Sequence, residues 1–290
     1  LNYMPELPEV EVVKKSLENK LKNLTIKRVI INNNKLRYKI DSKKFNKING
    51  KKIISVQRRS KYLLINLYKD YTILVHLGMT GKFLIIDKNK KYKTSFYYSL
   101  KENNTKHDHL TFFFNKKIQL VYNDVRKFGF IKIFPSKEVY KCGHLVVLGP
   151  EPLSINFNFD YLNKYIHNKK SKIKNLLMDQ KFVAGLGNIY CNEVLFLCKI
   201  SPTRSVKKIN RAEIIMILKS IKKILKEAIF LGGSSIKNFS NAEGQVGNFQ
   251  QKFNVYGREG LSCRMLKCSG TIKKVYTSNR SSFYCPKCQK

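Results

Sequence analysis

The sequence predicts an α+β protein of more than one domain, whose first half forms an antiparallel β-sandwich with flanking helices. Short β-branched or aromatic segments separated by turn residues fill that half, a pattern typical of antiparallel sheets. Leu148–Leu153, with two prolines and a glycine, then interrupts the pattern. Helical periodicity follows, and a predicted β-hairpin over Thr271–Tyr284 lies between two pairs of cysteines near the end.

The first element is a predicted helix over Pro8–Leu24. Pro8 suits the first turn of a helix, and Glu9 and Glu11 favour the positive end of its dipole. Apolar residues recur at helical spacing, at Val10, Val13, Leu17 and Leu21. Such a stripe packs against a sheet. The strands predicted after it are Lys61–Leu67, Tyr71–Leu77, Lys82–Ile86, His109–Phe114, Gln119–Tyr122 and Phe130–Phe134.

The Leu148–Leu153 stretch marks the end of the first domain, because two prolines and a glycine interrupt regular structure. We therefore divide the chain into a β-sandwich domain (residues 1–148), a helical domain (149–253) and a cysteine-rich hairpin domain (254–290).

Three helices are predicted in the second half. Lys172–Asp179 and Asn188–Leu197 lie on either side of Gly185-Leu186-Gly187, and Arg211–Leu231 ends at a pair of glycines. The glycine-rich, polar residues 232–253 that follow predict a loop that can order over a ligand.

The chain is strongly basic: its 290 residues carry a formal net charge of +38. Such a charge usually marks a protein that meets nucleic acid or an anionic membrane surface. Part of it is compositional, because lysine outnumbers arginine 47 to 10 and solvated lysines need no partner. Only 19 acidic residues offset the charge, so nucleic acid is the better prediction.

No apolar run reaches the roughly 20 residues of a membrane span, and the first residues lack an apolar signal segment. We therefore expect a soluble intracellular protein without a membrane partner. Seven cysteines in such a protein argue against a disulfide framework. No pattern in the sequence points to self-association, so a monomer is expected.

The cysteine quartet predicts one structural zinc ion. Four thiolates form a closed tetrahedral site, which leaves no open position for catalysis. Two residues separate the second pair, as zinc ribbons require, and four separate the first pair. The expected ligands are Cys263, Cys268, Cys285 and Cys288.

A second, weaker metal candidate is His107-Asp108-His109. Only two histidines lie there, and no third strong ligand is near in the sequence. The metal interpretation of these residues is therefore the weaker one.

The stretch Met4–Glu9 carries the most distinctive chemistry. If processing removes everything through Met4, the ring nitrogen of Pro5 becomes a free secondary amine, which is partly uncharged near neutral pH. Attack by this amine on a sugar carbon gives an iminium that has no N–H to lose and acts as an electron sink. Glu6 places a carboxyl beside it for proton transfer. Taken alone, the prolines would more often shape a loop before a helix.

The order of seven motifs decides between these interpretations. PELPEVE, QRRSKYLL, HLGMTG, NDVRKFG, LGPEPL, DQKFVAGLGNIY and a terminal quartet ending in CPKCQ follow one another along the chain. Together they resemble formamidopyrimidine-DNA glycosylase (Fpg/MutM), and the resemblance runs from Met4 to Gln289.

The resemblance implies a bifunctional DNA glycosylase and abasic-site lyase of base excision repair, acting on duplex DNA with oxidised purines such as 8-oxoguanine. Pro5 would be the nucleophile, Glu6 the proton donor and acceptor, and Lys61 a neighbour of both that contacts phosphate. Such an enzyme would work in the cytoplasm, at the nucleoid of a bacterium.

An enzyme that extrudes a base must fill the gap it leaves in the stack. By resemblance, Met79, Arg126 and Phe128 are that void-filling trio, with Arg126 facing the base left without a partner. Taken alone, Met79 would more often be core filler. In the family, DNA lies between the two halves of the protein.

The resemblance also implies a grip on the DNA backbone. The helices around Gly185–Gly187 match the family's helix-two-turn-helix module, in which Lys174 and Asn188 would hold phosphates. Arg280 of the hairpin would grip the phosphates beside the lesion, and His107 is assigned to DNA contact.

Two departures and two alternatives stay open. The family usually has glycine where Ser60 stands, and two residues rather than four inside the first cysteine pair. The sister enzyme endonuclease VIII, which prefers oxidised pyrimidines, shares the architecture. If the residues before Pro5 are retained, the chain would be a damaged-DNA binder without a nucleophile. We expect Met4 to be the true start and to be removed.

Overall fold

The computed structural model describes residues 4–88, 90–95, 104–167, 169–233 and 252–290. The chain forms two compact units. Unit 1 comprises residues 1–146 and 229–250, and unit 2 comprises residues 147–228 and 251–290. Unit 2 therefore holds most of the predicted helical domain together with the cysteine-rich hairpin. Within the described ranges, no helix combines the length and the apolar character that crossing a bilayer requires.

Unit 1 is built on two antiparallel sheets. The first has the order β1-β7-β8-β5-β6 and the second the order β2-β3-β4-β9. One face of each sheet contributes alternate residues to a single buried apolar cluster, so the prediction of an antiparallel β-sandwich is confirmed. The strands are β1 (Ile26–Ile31), β2 (Ile53–Arg59), β3 (Tyr62–Leu67), β4 (Tyr71–His76), β5 (Lys82–Asp87), β6 (Lys90–Lys93), β7 (Asp108–Phe114), β8 (Gln119–Asn123) and β9 (Phe130–Pro135).

Three of these strands, β1, β2 and β6, are additional to the predicted set. Each carries charged residues on its outer face, as in IKRVII and IISVQRR, and charge weakens the apolar signal by which strands are recognised. Unit 1 also contains two short helices, α2 (Ser42–Asn46) and α3 (Ser136–Val139).

Helix α1 (Leu7–Leu21) begins one residue earlier and ends three residues sooner than predicted. Its end is set by Asn23, whose φ of +69° lies in the left-handed region that a right-handed helix cannot enter. Its apolar stripe packs against β2, as expected of an amphipathic helix. This packing fixes the direction in which residues 4–6 leave the core.

Unit 2 contains the helices α4 (Phe159–His167), α5 (Ile173–Met178), α6 (Asn188–Leu197) and all but the last two residues of α7 (Arg211–Phe230). Its hairpin consists of β10 (Lys273–Thr277) and β11 (Arg280–Tyr284). The predicted bounds of α6 agree with the structure. Helix α5 is one residue shorter than predicted at each end, and α7 begins at the predicted residue and ends one residue sooner. Helix α4 was not predicted.

Candidate active site and metal centre

The segment before α1 is held by two glutamates, Glu6 and Glu9, each of whose carboxylates accepts a hydrogen bond from the backbone N–H of the other. Glu6 is the N-cap residue, and its N–H donates to Glu9 Oε2 at 2.9 Å, forming a capping box. Pro5, Glu6 and Glu9 are all buried. Gly233, after α7, has a φ of +79° and lies so close that a Cβ there would be 3.1 Å from Glu9 Oε1. Two carboxyls are therefore held in a fixed arrangement beside Pro5.

Lys61 lies in the turn between β2 and β3 and is only 7 % exposed. The residue before it, Ser60, is buried with a φ of +55°, a conformation that glycine adopts at no cost. The family's usual glycine therefore has a physical reason here, and Ser60 carries a local strain. Arg58 stabilises the turn, since its guanidinium donates to Ser60 O at 2.9 Å and pairs with Glu11 at 2.7 Å.

His76 is the first residue of the HLGMTG motif, and the sequence alone predicts no role for it. Burial, followed by the charges of Lys61, Arg37 and His144, lowers the pKa of His76 to about 4. Its Nδ1 accepts a hydrogen bond from Gly78 N–H at 3.1 Å. The ring is thus neutral at pH 7, with its proton on Nε2.

The two glycine-containing loops of unit 1, residues 76–81 and 124–129, pack backbone to backbone. A Cβ on Gly78 would lie 2.5 Å from Gly129 N, so only glycine permits this approach. Asp124, fully buried, joins the loops: it accepts from Thr80 Oγ1 at 2.5 Å and from Gly129 N–H at 2.8 Å. Asp124 is a second residue that the sequence analysis did not single out.

A pocket of about 590 Å³ on unit 1, which we call the loop pocket, is lined by the three predicted residues Met79, Arg126 and Phe128. Phe128 is 46 % exposed, and the guanidinium of Arg126 lies 4.7 Å from the centre of its ring. Met79 is half-buried. Met4, directly before Pro5, lines the same pocket. The structure therefore places the three residues of the predicted void-filling trio together, next to the segment that precedes the expected nucleophile.

His107 ends a short 3₁₀ turn, and its carbonyl accepts Asp124 N–H at 3.1 Å. His109 is buried, with its ring nitrogens 3.0 Å from Asp124 O and 3.3 Å from Asn33 O. Both nitrogens therefore face carbonyls rather than a common centre. In the part of the chain that the structure describes, the cysteine quartet is the single group of three or more ligands able to hold a metal. The weaker histidine candidate is not supported.

In unit 2 the predicted phosphate-binding residues lie around the hairpin. Lys174 of α5 is 0 % exposed, and its ammonium donates to Ser281 O at 2.8 Å and to Ser282 Oγ at 2.7 Å. Arg280, the residue before Ser281, is exposed. Lys174 therefore holds the strand that presents Arg280, a contact that the sequence did not reveal.

Asn188 is the first residue of α6, after Gly187 as N-cap. Its Oδ1 is buried without a hydrogen-bond partner among the described residues. One turn later, Asn192 Oδ1 accepts Phe283 N–H at 2.8 Å, so α6 also fixes β11. The start of α6 and the hairpin are thus one connected structure.

The four cysteine sulfurs lie within 4.8 Å of one another. Three separations are 3.7 Å for Cys263–Cys288, 3.8 Å for Cys268–Cys285 and 3.0 Å for Cys268–Cys288. Thiolates about 2.3 Å from a tetrahedral zinc ion lie about 3.8 Å apart, so two of these separations match a four-thiolate zinc site and the Cys268–Cys288 separation is shorter. Gly270 packs against the site, where a Cβ would be 2.5 Å from Cys285 Sγ.

Glu193 is a third residue that the sequence analysis missed. It is 2 % exposed inside α6, and its carboxylate accepts from the backbone N–H groups of Asn254, Val255 and Tyr256 at 2.8 to 3.0 Å. Burial raises the pKa of Glu193, and these hydrogen bonds oppose the rise. A lone acidic residue in the apolar sequence NIYCNEVLFL was the available signal, because a buried charge must be bonded.

Two family models match the chain: the formamidopyrimidine-DNA glycosylase N-terminal domain over residues 4–131, and the formamidopyrimidine-DNA glycosylase H2TH domain over residues 148–240. Formamidopyrimidine-DNA glycosylase of Rickettsia bellii is 42 % identical over 287 residues, covering 99 % of this chain and 100 % of the relative. The enzyme of a Ruegeria species is 38 % identical over 287 residues, covering the same shares.

Solved structures of the same family are also similar to this chain. The Lactococcus lactis Fpg in complex with DNA containing an abasic site is 34 % identical, with a TM-score of 0.86 over 99 % of this chain and 100 % of that one. The same protein bound to DNA containing N7-benzyl-Fapy-dG matches with the same identity, coverage and TM-score. The chain belongs to the formamidopyrimidine-DNA glycosylase family.

Proposed function

We propose that this chain is a bifunctional DNA glycosylase and abasic-site lyase that removes oxidised purines from duplex DNA. Full-length relatives named formamidopyrimidine-DNA glycosylase support the activity. The structural observation that carries it is the pocket at Met79, Arg126 and Phe128, which Met4 also lines. In this proposal the pocket supplies the residues that replace an extruded base, beside the segment that precedes the expected nucleophile.

Chemistry begins at the Pro5 nitrogen, which must be the free N-terminal amine of the working enzyme. Its lone pair forms a bond to the anomeric carbon, the bond to the damaged base breaks, and the base leaves with a proton. Glu6 protonates the ring oxygen as the sugar opens, and the iminium forms. Loss of a C2′ proton expels the 3′ phosphate, a second elimination expels the 5′ phosphate, and water then releases Pro5.

The residues that line the loop pocket are proposed to fill the gap that the extruded base leaves in the DNA stack. Met79 and Phe128 are apolar wedges that support the stack once the base has left it. Arg126 donates to the base that remains on the opposite strand. The contact between Arg126 and Phe128 orients the guanidinium before DNA arrives.

Five residues supply the proposed grip on the DNA backbone: Lys61, His107, Lys174, Asn188 and Arg280. Direct phosphate contact by Lys174 stays a prediction, because the ammonium is buried under β11. Its proposed contribution includes the position of Arg280. Three of the five, Lys61, Lys174 and Arg280, are lysine or arginine, and neutralising about three phosphates gives a log–log salt slope of about −2.7.

The cysteine quartet is proposed to hold one zinc ion, whose bonds to Cys263, Cys268, Cys285 and Cys288 tie the loop before β10 to the end of β11. A closed four-thiolate site stabilises the fold and takes no part in the reaction. The enzyme is proposed to act in the bacterial cytoplasm, where chromosomal DNA lies.

The deciding experiment compares two forms of the protein, one beginning at Pro5 and one retaining residues 1–4. Each is incubated with an 8-oxoguanine duplex and sodium borohydride, which reduces the iminium to a stable covalent complex. We expect trapping only with the form that begins at Pro5, and Glu6→Gln in that form is expected to slow base release about 100-fold or more. Equal trapping with both forms would remove Pro5 from the mechanism.

A second arm tests lesion choice. Duplexes that differ only in carrying 8-oxoguanine or thymine glycol are compared by their single-turnover rates of base release. Faster release of 8-oxoguanine supports the proposal, and faster release of thymine glycol assigns the chain an activity like that of endonuclease VIII.

A further inference from the structure

The outer face of the five-stranded sheet carries a cross-strand row that the proposed reaction does not use. Arg28 pairs with Phe113, Phe113 with Gln119, Gln119 with Ile86, and Ile86 with Lys91, so the row crosses all five strands. These residues point away from the shared core, because their strand neighbours are the ones that lie in it.

A groove of about 710 Å³ lies at this row. Its half-buried lining includes Ile86, Phe113 and Ile118, and its exposed lining includes Lys88, Lys116 and Lys117. We call it the outer groove. An apolar, partly aromatic floor with a cationic rim is a combination that single-stranded nucleic acid fits, because bases stack on the floor and phosphates meet the rim.

The guanidinium of Arg28 is exposed and lies 4.6 Å from the centre of the Phe113 ring. A planar cation held on an aromatic face is itself a surface on which a base can stack. The cations are available: within the described residues, neither Arg28 nor the three rim lysines make an ion pair. The lining segments 84–88 and 113–119 contain a single carboxylate, Asp87.

The rim lysines also occupy an unusual backbone conformation. Lys88, Lys116 and Lys117 have φ values of +46°, +62° and +59°, in a region that residues with a Cβ enter at a cost. Asparagine and glycine are the usual residues for such turns. The rim of the groove therefore carries three positive charges at backbone positions that do not favour lysine.

The outer groove is separate from the loop pocket. Strands β5 and β8 run from one to the other. The loops that form the loop pocket adjoin one end of each strand, at Lys82 and Asn123, and the outer groove adjoins the other end, at Asp87 and Gln119. Five residues of extended chain span roughly 16 Å. An oligonucleotide in the outer groove therefore leaves the loop pocket accessible.

We propose that the outer groove is a second nucleic-acid site, which binds a short single-stranded segment through Phe113, Arg28 and the rim lysines. Through it the protein binds unpaired DNA independently of the loop pocket. Its recognition rests on stacking and charge, so it selects single strands without selecting a sequence.

The first test measures fluorescence anisotropy of a labelled oligothymidylate with the full-length, zinc-loaded protein. Lys116→Asn with Lys117→Asn removes two rim charges, and asparagine tolerates the left-handed turn. We expect the double variant to bind about 10-fold more weakly, with a salt slope smaller by about 1.4. The control, Lys43→Asn with Lys44→Asn, removes equal charge from exposed positions on α2 and should retain affinity. Equal loss in both double variants, or loss in neither, overturns the proposal.

The second test separates stacking from charge. Phe113→Leu keeps an apolar side chain and removes the aromatic face. We expect about 10-fold weaker binding of oligothymidylate and unchanged binding of inorganic polyphosphate, which has no bases. Equal effects on both probes, or no effect on oligothymidylate, overturn the stacking role.

Excision of 8-oxoguanine by the Lys116→Asn, Lys117→Asn protein is measured in parallel and is expected to match the unmodified protein. This readout keeps the two proposals apart. Absent excision in every protein contradicts the proposed function alone, and unchanged oligothymidylate binding contradicts the outer groove alone.

Discussion

The ammonium of Lys174 donates a hydrogen bond to Ser282 Oγ at 2.7 Å, across 108 residues of sequence. This bond, with the one from Lys174 to Ser281 O, fastens α5 to the strand that begins with Arg280. A lysine expected to hold DNA is thus a structural cation of unit 2. Its buried charge is tolerated because hydrogen bonds satisfy it.

Lys174→Met should therefore destabilise the protein by about 2–3 kcal/mol, since it removes the donor to Ser281 O and leaves Ser282 Oγ with the Thr277 hydroxyl as its partner. Ser282→Ala should cost about 1–2 kcal/mol, because the ammonium loses one of its hydrogen bonds and the buried Thr277 hydroxyl loses its bond to Ser282 Oγ. Urea unfolding measures both, with Ser281→Ala as the matched control, since Ser281 contributes its carbonyl to the contact.

The Ser282→Ala protein also tests how Lys174 affects DNA. If the lysine acts by placing Arg280, this variant should weaken binding of an abasic-analogue duplex although every cation is retained. Unchanged affinity in Ser282→Ala, beside a large loss in Lys174→Met, would favour a direct phosphate contact instead.

The second prediction concerns Asp124, whose carboxylate joins the two loops of the pocket. Asp124→Asn should weaken the bonds from Thr80 Oγ1 and Gly129 N–H, and so loosen the relative positions of Met79 and Arg126. Misplacing such groups should slow base release by about 10–100-fold. Cleavage of a preformed abasic site should slow less, because no base has to be extruded.

Thr80 provides the matched pair for this prediction. Thr80→Ser keeps the hydroxyl that donates to Asp124 and accepts from Arg126 N–H, whereas Thr80→Val removes it. We expect the valine variant alone to reproduce the Asp124→Asn defect. Base release at the unmodified rate in Asp124→Asn would show that the loops keep their geometry without this carboxylate.

The sequence indicated the sandwich, the bounds of α6 and the cysteine quartet because each has a local signal of periodicity or spacing. It could not indicate that Lys174 is buried, since the partners that satisfy its charge are more than 100 residues away. The left-handed turn at Ser60 was equally hidden, because serine is not a usual residue for a positive φ. Local sequence patterns predict local structure. Whether a charged residue such as Lys174 is buried depends on hydrogen bonds to residues that are distant in sequence.

The third prediction concerns the pH dependence of stability. His76 has a folded-state pKa of about 4, below its ordinary value of 6.5, because burial and the nearby cations disfavour the imidazolium. The unfolded chain therefore binds more protons than the folded protein as the pH falls below 6.5. Stability from the neutral ring should be complete above pH 6.5 and lost progressively down to about pH 4, by ~3 kcal/mol at most.

Urea unfolding of the unmodified protein and of His76→Gln between pH 4 and 7.5 measures this loss. The glutamine variant should show a shallower decline. His144→Gln is the control: the pKa of His144 is also lowered by burial, but the group is more exposed and its removal should change the slope less. Parallel curves for the unmodified and His76→Gln proteins would contradict the assigned linkage.

The last prediction concerns the proposed metal centre. A Cβ at position 270 would be 2.5 Å from Cys285 Sγ and 3.3 Å from Cys268 Sγ, so Gly270→Ala should push two ligands apart. We expect less bound zinc per chain by elemental analysis, faster loss of zinc to a chelator, and weaker binding of an abasic-analogue duplex, since Arg280 lies on the connected hairpin. Gly143→Ala is the matched control, because nothing lies within 4 Å of a Cβ there. Full zinc content and unchanged chelation kinetics in Gly270→Ala would mean that the quartet adapts to the added methyl group, and DNA affinity should then be retained as well.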